Sequence, residues 1–230
     1  MLNLQSIKKQ DIIRLWTHRC KEHRHRYLEH SSCLEKDKPD WNPLKERICT
    51  FDIESQGSLT ADWGFMSAYC IKALGGKIVC NSITAKEIRE GVTQDKRLIQ
   101  DLCKDLKKFD KIIVYYGKDS HWRHDFPFAR TRAEIWGIKD FPKAKELKIV
   151  DIYDTMKSKF KFANNRKDYI ARQFGIKAGT TPSDPKIWQA TGAGKAWAIR
   201  YAVARCKEDV KVQEALYLRV RPYKEIVSTT

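Results

Sequence analysis

The sequence Ile48-Cys49-Thr50-Phe51-Asp52-Ile53-Glu54-Ser55 is an apolar run that ends with two carboxylates at alternate positions. Successive side chains of a β-strand point to opposite faces, so Asp52 and Glu54 would share one face while Phe51 and Ile53 pack on the other. Two neighbouring acids repel each other, and hard oxygen ligands suit Mg²⁺ or Mn²⁺. The pattern indicates either a metal site at the end of a buried strand or a strand that runs into a polar loop.

Strand and helix signals surround this stretch in a regular order. A turn signal at Gly75-Gly76 separates two strands, which together with the first predict a three-stranded antiparallel meander. The following helix has apolar residues at helical spacing, and the next strand is a continuous apolar run typical of burial on both faces. We predict strands over 47–53, 65–73, 77–82, 111–116 and 147–152, helices over 7–16, 94–108, from Asp125, over 165–174 and 195–220, and a Gly-, Thr- and Pro-rich loop through Pro185.

The length of 230 residues suffices for one well-packed domain with a small appendage. The polar segment 37–43 contains two prolines and predicts a connector. We therefore expect a helical, Cys/His-containing appendage over residues 1–43 and an α/β catalytic domain over residues 44–230.

The charge balance favours a polyanionic partner. Lys and Arg number 45 against 29 acids, a formal net charge of +16, and nucleic acid is the polyanion that such an excess favours over a membrane surface. No uninterrupted apolar segment approaches the roughly 20 residues that span a bilayer, and the N-terminus lacks a signal-peptide core. Seven cysteines without a framework spacing fit reduced thiols. These features predict a soluble, cytoplasmic protein.

Residues 20–33 concentrate cysteines and histidines in a short segment. The spacing C-x2-H-x6-H-x2-C offers Cys20, His23, His30 and Cys33 as tetrahedral zinc ligands, with His25 as a substitute. The alternative is a solvated basic loop with incidental histidines. If zinc binds, its role would be structural.

Basic side chains alternate with aromatic ones after the fifth predicted strand. Phe160 and Phe162 lie among lysines, a pattern that suits phosphate contacts with base stacking and equally suits an amphipathic surface segment. The candidate nucleic-acid-binding residues are Lys157, Lys159, Lys161, Arg166, Arg130, Arg132 and Arg205.

Two further acids lie far along the chain from the first strand. Asp125 precedes Phe-Pro-Phe, which suits the start of a helix, so a helix-capping role is one reading. Asp209 lies within the last predicted helix, on the flank of its apolar stripe, where a solvent-facing acid would also be ordinary.

The order of these parts resembles the DEDD exonucleases of the ribonuclease H-like superfamily, and most closely the YprB-type exonucleases of phage-like sequences. The similarity covers residues 44–223, and its motifs are residues 51–55, Gly117 with 125–132, 149–154 and 206–210. It implies a mixed five-stranded sheet flanked by helices. It also implies that Asp52, Glu54, Asp125 and Asp209 hold two Mg²⁺ or Mn²⁺ ions, and that the activity is 3′-to-5′ hydrolysis of single-stranded DNA or RNA ends.

The chain departs from the family pattern at two places. His121 and His124 stand where the family has an Asn and an aromatic residue before the second-motif acid. Arg205 and Ala204 stand where it has a Tyr or a His before the last acid. The resemblance thus implies a slowed nuclease, and the alternative is a nucleic-acid-binding protein that keeps the fold without catalysis.

Overall fold

The computed structural model describes residues 7, 9–38, 46–57, 59–91, 94–118, 120, 123–143, 147–177, 179 and 184–223. Contacts between Cα atoms divide the chain into two compact units, Met1–Glu46 and Arg47–Thr230. The domain boundary predicted between residues 43 and 44 lies outside the described residues. Each unit is described by itself.

The N-terminal unit contains two short helices, α1 (Lys9–Thr17) and α2 (Ser31–Asp37). Between them, Arg19 and Arg26 pair in an isolated antiparallel bridge. Helix α1 confirms most of the helix predicted over 7–16. Helix α2 was not predicted, because its seven residues carry no apolar periodicity.

The larger unit is built on a mixed five-stranded sheet. The strands lie in the order β3-β2-β1-β4-β5, and β1 is central. Strand β1 pairs antiparallel with β2, which pairs antiparallel with β3, whereas β4 runs parallel to β1 and β5 runs parallel to β4. The predicted ribonuclease H-like α/β arrangement is therefore confirmed. The strands are β1 (Ile48–Gln56), β2 (Phe65–Ala73), β3 (Ile78–Ser82), β4 (Lys111–Val114) and β5 (Lys148–Asp151).

Helices flank this sheet, and three of them were not predicted. Helix α3 begins with a capping box in which Thr84 and Glu87 bond each other's backbone N–H groups. Asp151 caps α6, and Asp184 before Pro185 caps α8. Among the described residues, no helix is both long and apolar enough to cross a bilayer. The helices are α3 (Ala85–Glu90), α4 (Lys96–Leu106), α5 (Asp125–Ile135), α6 (Ile152–Lys159), α7 (Lys167–Gln173), α8 (Pro185–Gly192) and α9 (Ala196–Val220), followed by a 3₁₀ turn, Arg221–Tyr223.

Side-chain alternation along β1 sorts its residues between two cores. Phe51 and Ile53 are buried in the same core as apolar residues of α4 and α5, such as Leu102. On the opposite face the Thr50 hydroxyl donates to the Val210 carbonyl of α9 at 2.9 Å. The predicted division of β1 into an apolar face and an acid-bearing face is confirmed.

The cysteines depart from the prediction of reduced thiols. Cys70 of β2 and Cys80 of β3 are joined in a disulfide, whereas Cys20, Cys33, Cys49, Cys103 and Cys206 are free and buried. The two bonded residues face each other in the β2–β3 register. The predicted turn at Gly75-Gly76 brings these two strands together, but the prediction did not fix their register and so did not pair the two cysteines.

Candidate active site

Three of the four predicted acids come together where β1 passes α9. Asp52, Glu54 and Asp209 each offer a carboxylate oxygen, and these oxygens all lie within 4.8 Å of one another. Asp52 and Glu54 share one face of β1 because they are two residues apart. Asp209 is half-buried on α9, next to the buried Val210. The group is therefore supplied by residues more than 150 positions apart.

Asp125 is buried at the first position of α5, close to this group but not within it. Its carboxylate packs against Gly117, since a Cβ built on Gly117 would lie 2.5 Å from Asp125 Oδ2. The Phe126 N–H also donates to the Gly117 carbonyl at 3.1 Å. Glycine at 117 is thus required for the close approach that places Asp125. His121 lies outside the described residues.

Two basic side chains enter the acid group. The Lys167 ammonium lies 3.0 Å from Asp209 Oδ1 and 3.6 Å from Asp52 Oδ1. Arg205 Nε lies 3.4 Å from Glu54 Oε1. Lys167 is not among the residues that the sequence singles out: the helix that it begins was predicted over 165–174, but no local signal shows that its ammonium reaches Asp52 and Asp209.

Burial, with smaller contributions from neighbouring acids, raises the pKa values of these carboxyl groups despite the cations. Burial raises the pKa of Asp52 to about 6, although the charge of Lys167 lowers it by more than the charge of Asp209 raises it. Burial, and then the charge of Asp52, raise the pKa of Glu54 and of Asp125 well above their ordinary values. Burial alone would lower the pKa of Lys167, but Asp52 and Asp209 raise it, so Lys167 stays charged. Bound divalent cations would lower the raised carboxylate pKa values.

The donor set fits divalent cations that prefer oxygen. The acid oxygens are clustered, with Asp52 buried and Glu54 and Asp209 half-buried, and the three acids, when ionised, carry more charge than Lys167 and Arg205 neutralise. Gln213 Nε2 donates to Asp52 Oδ1 at 2.9 Å, which orients that carboxylate. Gln213 Oε1 is buried and has no hydrogen-bond partner among the described residues, so one more oxygen acceptor lies beside the acids.

Asp151, at the end of β5, holds the loop that carries Gly117. Its carboxylate accepts hydrogen bonds from the backbone N–H groups of Tyr116, Gly117 and Lys118 at 2.8–3.2 Å. Tyr116 has a φ of 64°, a left-handed conformation that is costly for a non-glycine residue. These three bonds offset that cost. Asp151 therefore fixes the glycine on which Asp125 rests.

A cavity of about 670 Å³ lies beside the acid group, with Lys167 and Arg205 in its lining. Tyr116 and Tyr153 line it as well, and Arg123 lies over both rings, 4.3 and 4.5 Å from their centroids. This volume is in the range of small-ligand sites. Tyrosine faces and basic groups are suited to a nucleotide base and its phosphate.

The predicted nucleic-acid-binding residues fall into different environments. Lys157, Lys159, Lys161 and Arg166 are exposed, Arg130 is half-buried, and Arg205 is next to Glu54. Exposure leaves the first four available to phosphate. Arg205 instead belongs to the acid group.

The prediction for Arg132 requires correction. Arg132 is 4% exposed, and its guanidinium NH2 group donates to Asp95 Oδ1 at 2.6 Å. Asp95 is fully buried and also accepts from Trp136 Nε1 at 2.7 Å. A guanidinium enclosed in this way satisfies a buried carboxylate and does not reach a phosphate on the surface.

Phe160 and Phe162 are also engaged inside the protein. Both rings contact Phe174, with centroids 5.7 and 5.5 Å away, and Phe160 contacts Tyr223 as well. The packed phenylalanines fit the interpretation of this segment as an amphipathic surface segment. The exposed lysines remain compatible with phosphate contacts.

In the N-terminal unit, the ligand atoms of Cys20, His23, His25 and Cys33 lie within 4.8 Å of one another. The predicted ligand set had His30 in the place of His25. His30 Nδ1 instead lies 2.9 Å from Cys33 Sγ.

The fold and the acid group define an α/β protein of ribonuclease H-like architecture with a candidate metal centre on its central strand. A solved structure with the same fold is the family B DNA polymerase from the hyperthermophilic archaeon Pyrobaculum calidifontis, with a TM-score of 0.61 and 18% sequence identity. The match covers 78% of this chain and 25% of the polymerase, so this chain corresponds to about a quarter of that protein. No protein-family model and no curated protein matches the sequence.

Proposed function

We propose that the protein is a metal-dependent nuclease of the DEDD type that removes nucleotides from the 3′ end of single-stranded DNA or RNA. The observation that carries the proposal is the cluster of Asp52, Glu54 and Asp209 oxygens within 4.8 Å, on a ribonuclease H-like sheet. The sequence resemblance to the YprB-type exonucleases of phage-like sequences supports the same class. A cytoplasmic location stays a prediction.

In this proposal, Asp52, Glu54, Asp125 and Asp209 would hold two Mg²⁺ or Mn²⁺ ions. When bound, such ions supply an activated water molecule and neutralise negative charge on the leaving oxygen. Asp151 and Gly117 keep Asp125 in place, and Gln213 orients Asp52. A zinc ion in the Cys/His group of the N-terminal unit would be structural in this proposal.

The basic residues of the site would receive the substrate. Lys167 and Arg205 line the cavity and carry positive charge beside the acids, where a scissile phosphate would arrive. Tyr116, 44% exposed in the cavity lining, offers a ring face on which a base can stack. Arg205 cannot serve as a general base at neutral pH, because a guanidinium stays protonated. The chain therefore contributes binding and orientation, without a general base at the helper position.

The second candidate function is a nucleic-acid-binding protein without catalysis. The observation that favours it is Lys167, whose ammonium already lies between Asp52 and Asp209 and neutralises part of their charge. In this candidate the acids would be held by Lys167 and Arg205, and divalent ions would be dispensable.

The test uses 5′-labelled single-stranded DNA and RNA with Mg²⁺ or Mn²⁺. We expect a ladder that shortens from the 3′ end, no product in EDTA or with Asp52→Ala, and unchanged product with the exposed control Asp140→Ala. A circular single strand, which has no 3′ end, should stay intact. Product in EDTA or with Asp52→Ala would overturn the metal-dependent site. Binding without any cleavage under all these conditions would favour the second candidate.

A further inference from the structure

The N-terminal unit has too small a core to fold on apolar burial alone. Its buried side chains in the described range 9–38 are Leu15, Cys20, Tyr27, Cys33 and Leu34, and two of these five are cysteines. The unit spans Met1–Glu46, and domains well below roughly 70–80 residues usually need a disulfide, a metal or a partner for stability. Cys20 and Cys33 are free, so no disulfide closes the unit.

The turn between the bridged residues Arg19 and Arg26 gathers potential metal ligands. Cys20, His23 and His25 lie on this turn, and Cys33 approaches from α2. The His23 N–H donates to Cys20 Sγ at 3.2 Å, a bond that favours a thiolate. Two thiols and two imidazoles at mutual distances below 4.8 Å form a donor set that suits zinc and differs from the all-oxygen acid group.

The distances distinguish ligands from neighbours. With Zn–S near 2.3 Å and Zn–N near 2.0 Å, a sulfur and a nitrogen bound to the same tetrahedral ion lie about 3.5 Å apart. Cys33 Sγ and His23 Nδ1 are 3.6 Å apart, as two ligands of one ion should be. His30 Nδ1 is only 2.9 Å from Cys33 Sγ, too close for a shared ion and suited to a hydrogen bond.

We propose that Cys20, His23, His25 and Cys33 bind one Zn²⁺ that holds the N-terminal unit together, while His30 donates a hydrogen bond to the Cys33 sulfur from outside the coordination sphere. The bond from His30 stabilises the thiolate and orients it toward the ion. Asp37 closes the unit by accepting from the Lys21 N–H and the Tyr27 hydroxyl, each at 3.0 Å. This site is separate from the proposed nuclease chemistry and does not depend on it.

The test compares His25→Ala with His30→Ala in the full chain, purified without chelators. We expect one zinc per chain in the unchanged protein and in Asp52→Asn, which shows that the acid group is not the source. His30→Ala should keep its zinc but release it to a competing chelator with an affinity about 10- to 100-fold weaker. His25→Ala and Cys20→Ser/Cys33→Ser should contain little zinc.

Cobalt replacement keeps the proposal testable if the cysteine variant fails to fold. Co²⁺ added to the zinc-depleted protein should give the absorption bands of a tetrahedral site with two sulfurs, in the unchanged protein and in His30→Ala alike. Absence of zinc from the unchanged protein, or equal zinc in the cysteine variant, would overturn the site. Loss of zinc in His30→Ala with retention in His25→Ala would overturn the assignment of ligands.

Discussion

Replacing Asp52 by Asn should stabilise the metal-free protein and abolish its response to Mg²⁺. Burial raises the folded-state pKa of Asp52 from 3.8 to about 6, although the charge of Lys167 lowers it. A raised carboxyl pKa means that ionisation destabilises the fold above that pKa, and the penalty disappears as the pH falls toward 3.8. Near neutral pH, the shift of about two units corresponds to about 3 kcal/mol.

The variant preserves the local geometry while it removes the charge. Asn is isosteric with Asp, and its carbonyl oxygen can still accept the hydrogen bond from Gln213 Nε2. For a domain of this size, about 3 kcal/mol raises the melting temperature by roughly 6–12 °C. At about pH 5, where Asp52 is mostly protonated in the folded protein but still mostly ionised in the unfolded chain, the difference should fall to roughly half.

Metal should reverse the order of the two proteins. An ion at about 1,000 times its dissociation constant stabilises the unchanged protein by about 4.1 kcal/mol, which exceeds the advantage of about 3 kcal/mol that Asp52→Asn has without metal, and Asp52→Asn should gain far less because it lacks a ligand charge. Thermal melts with EDTA and with Mg²⁺, at about pH 7.5 and 5, measure both effects. Asp140→Asn, at a side chain that is 85% exposed, is the matched control for charge. A lower melting temperature for Asp52→Asn in EDTA, or an equal Mg²⁺ shift in both proteins, would refute the reasoning.

Three side chains of the site and the basic surface give four further predictions. Lys167→Met should tighten Mg²⁺ binding at least about tenfold in calorimetry, since the ammonium no longer competes for the acids; unchanged affinity beside the exposed control Lys157→Met would contradict this. Arg205→Tyr should speed single-turnover cleavage, because general acid–base help is typically worth 10²- to 10⁴-fold, without tightening substrate binding; abolished cleavage would instead show that the contact of Arg205 with the phosphate contributes more to the reaction than a Tyr helper does. Asp151→Asn should weaken metal binding about 10- to 100-fold through the loop it holds, and excess metal should restore cleavage; a loss that metal does not restore would place Asp151 elsewhere in the mechanism. Binding of single strands should fall with salt at a log–log slope of nearly 0.7 per phosphate contact and depend little on base identity; a flat slope would remove the electrostatic argument.

The fold was predictable because its signals are local. Strand β2 begins and ends where the sequence predicts, and α5 begins at Asp125, since alternation, turn residues and an acid before proline act within a few positions. Helices α3, α6 and α8 had cap signals of the same kind, in Thr84 with Glu87, Asp151 and Asp184, that we did not weigh against their short length. These helices show that a capping residue can mark the start of a helix that is too short to display apolar periodicity.

The candidate site was only partly predictable, because its electrostatics are non-local. Asp52 and Glu54 follow from strand alternation, but nothing near Lys167 in sequence indicates that its ammonium reaches Asp209, 42 positions away. From the sequence, Arg132 was predicted to be a surface residue that binds nucleic acid. Only the packing of α5 against the loop before α4 reveals its partner Asp95. The sequence shows which residues are charged, whereas the tertiary fold determines which of them form ion pairs.

The balance of charge at the site is itself an argument for metal binding. Four acids, counting Asp125, face two cations, so the group keeps an excess of negative charge when all are ionised. Three of these acids have raised pKa values even with Lys167 and Arg205 in place. Burial is the largest cause of these shifts, and the charge of a neighbouring acid adds to each of them. A purely structural cluster gains nothing from burying acids in this way, because apolar residues of similar volume pack as well. Unfavourable electrostatics of this kind concentrate at functional sites, where a ligand of opposite charge relieves them. Divalent cations are the ligands that would relieve them here.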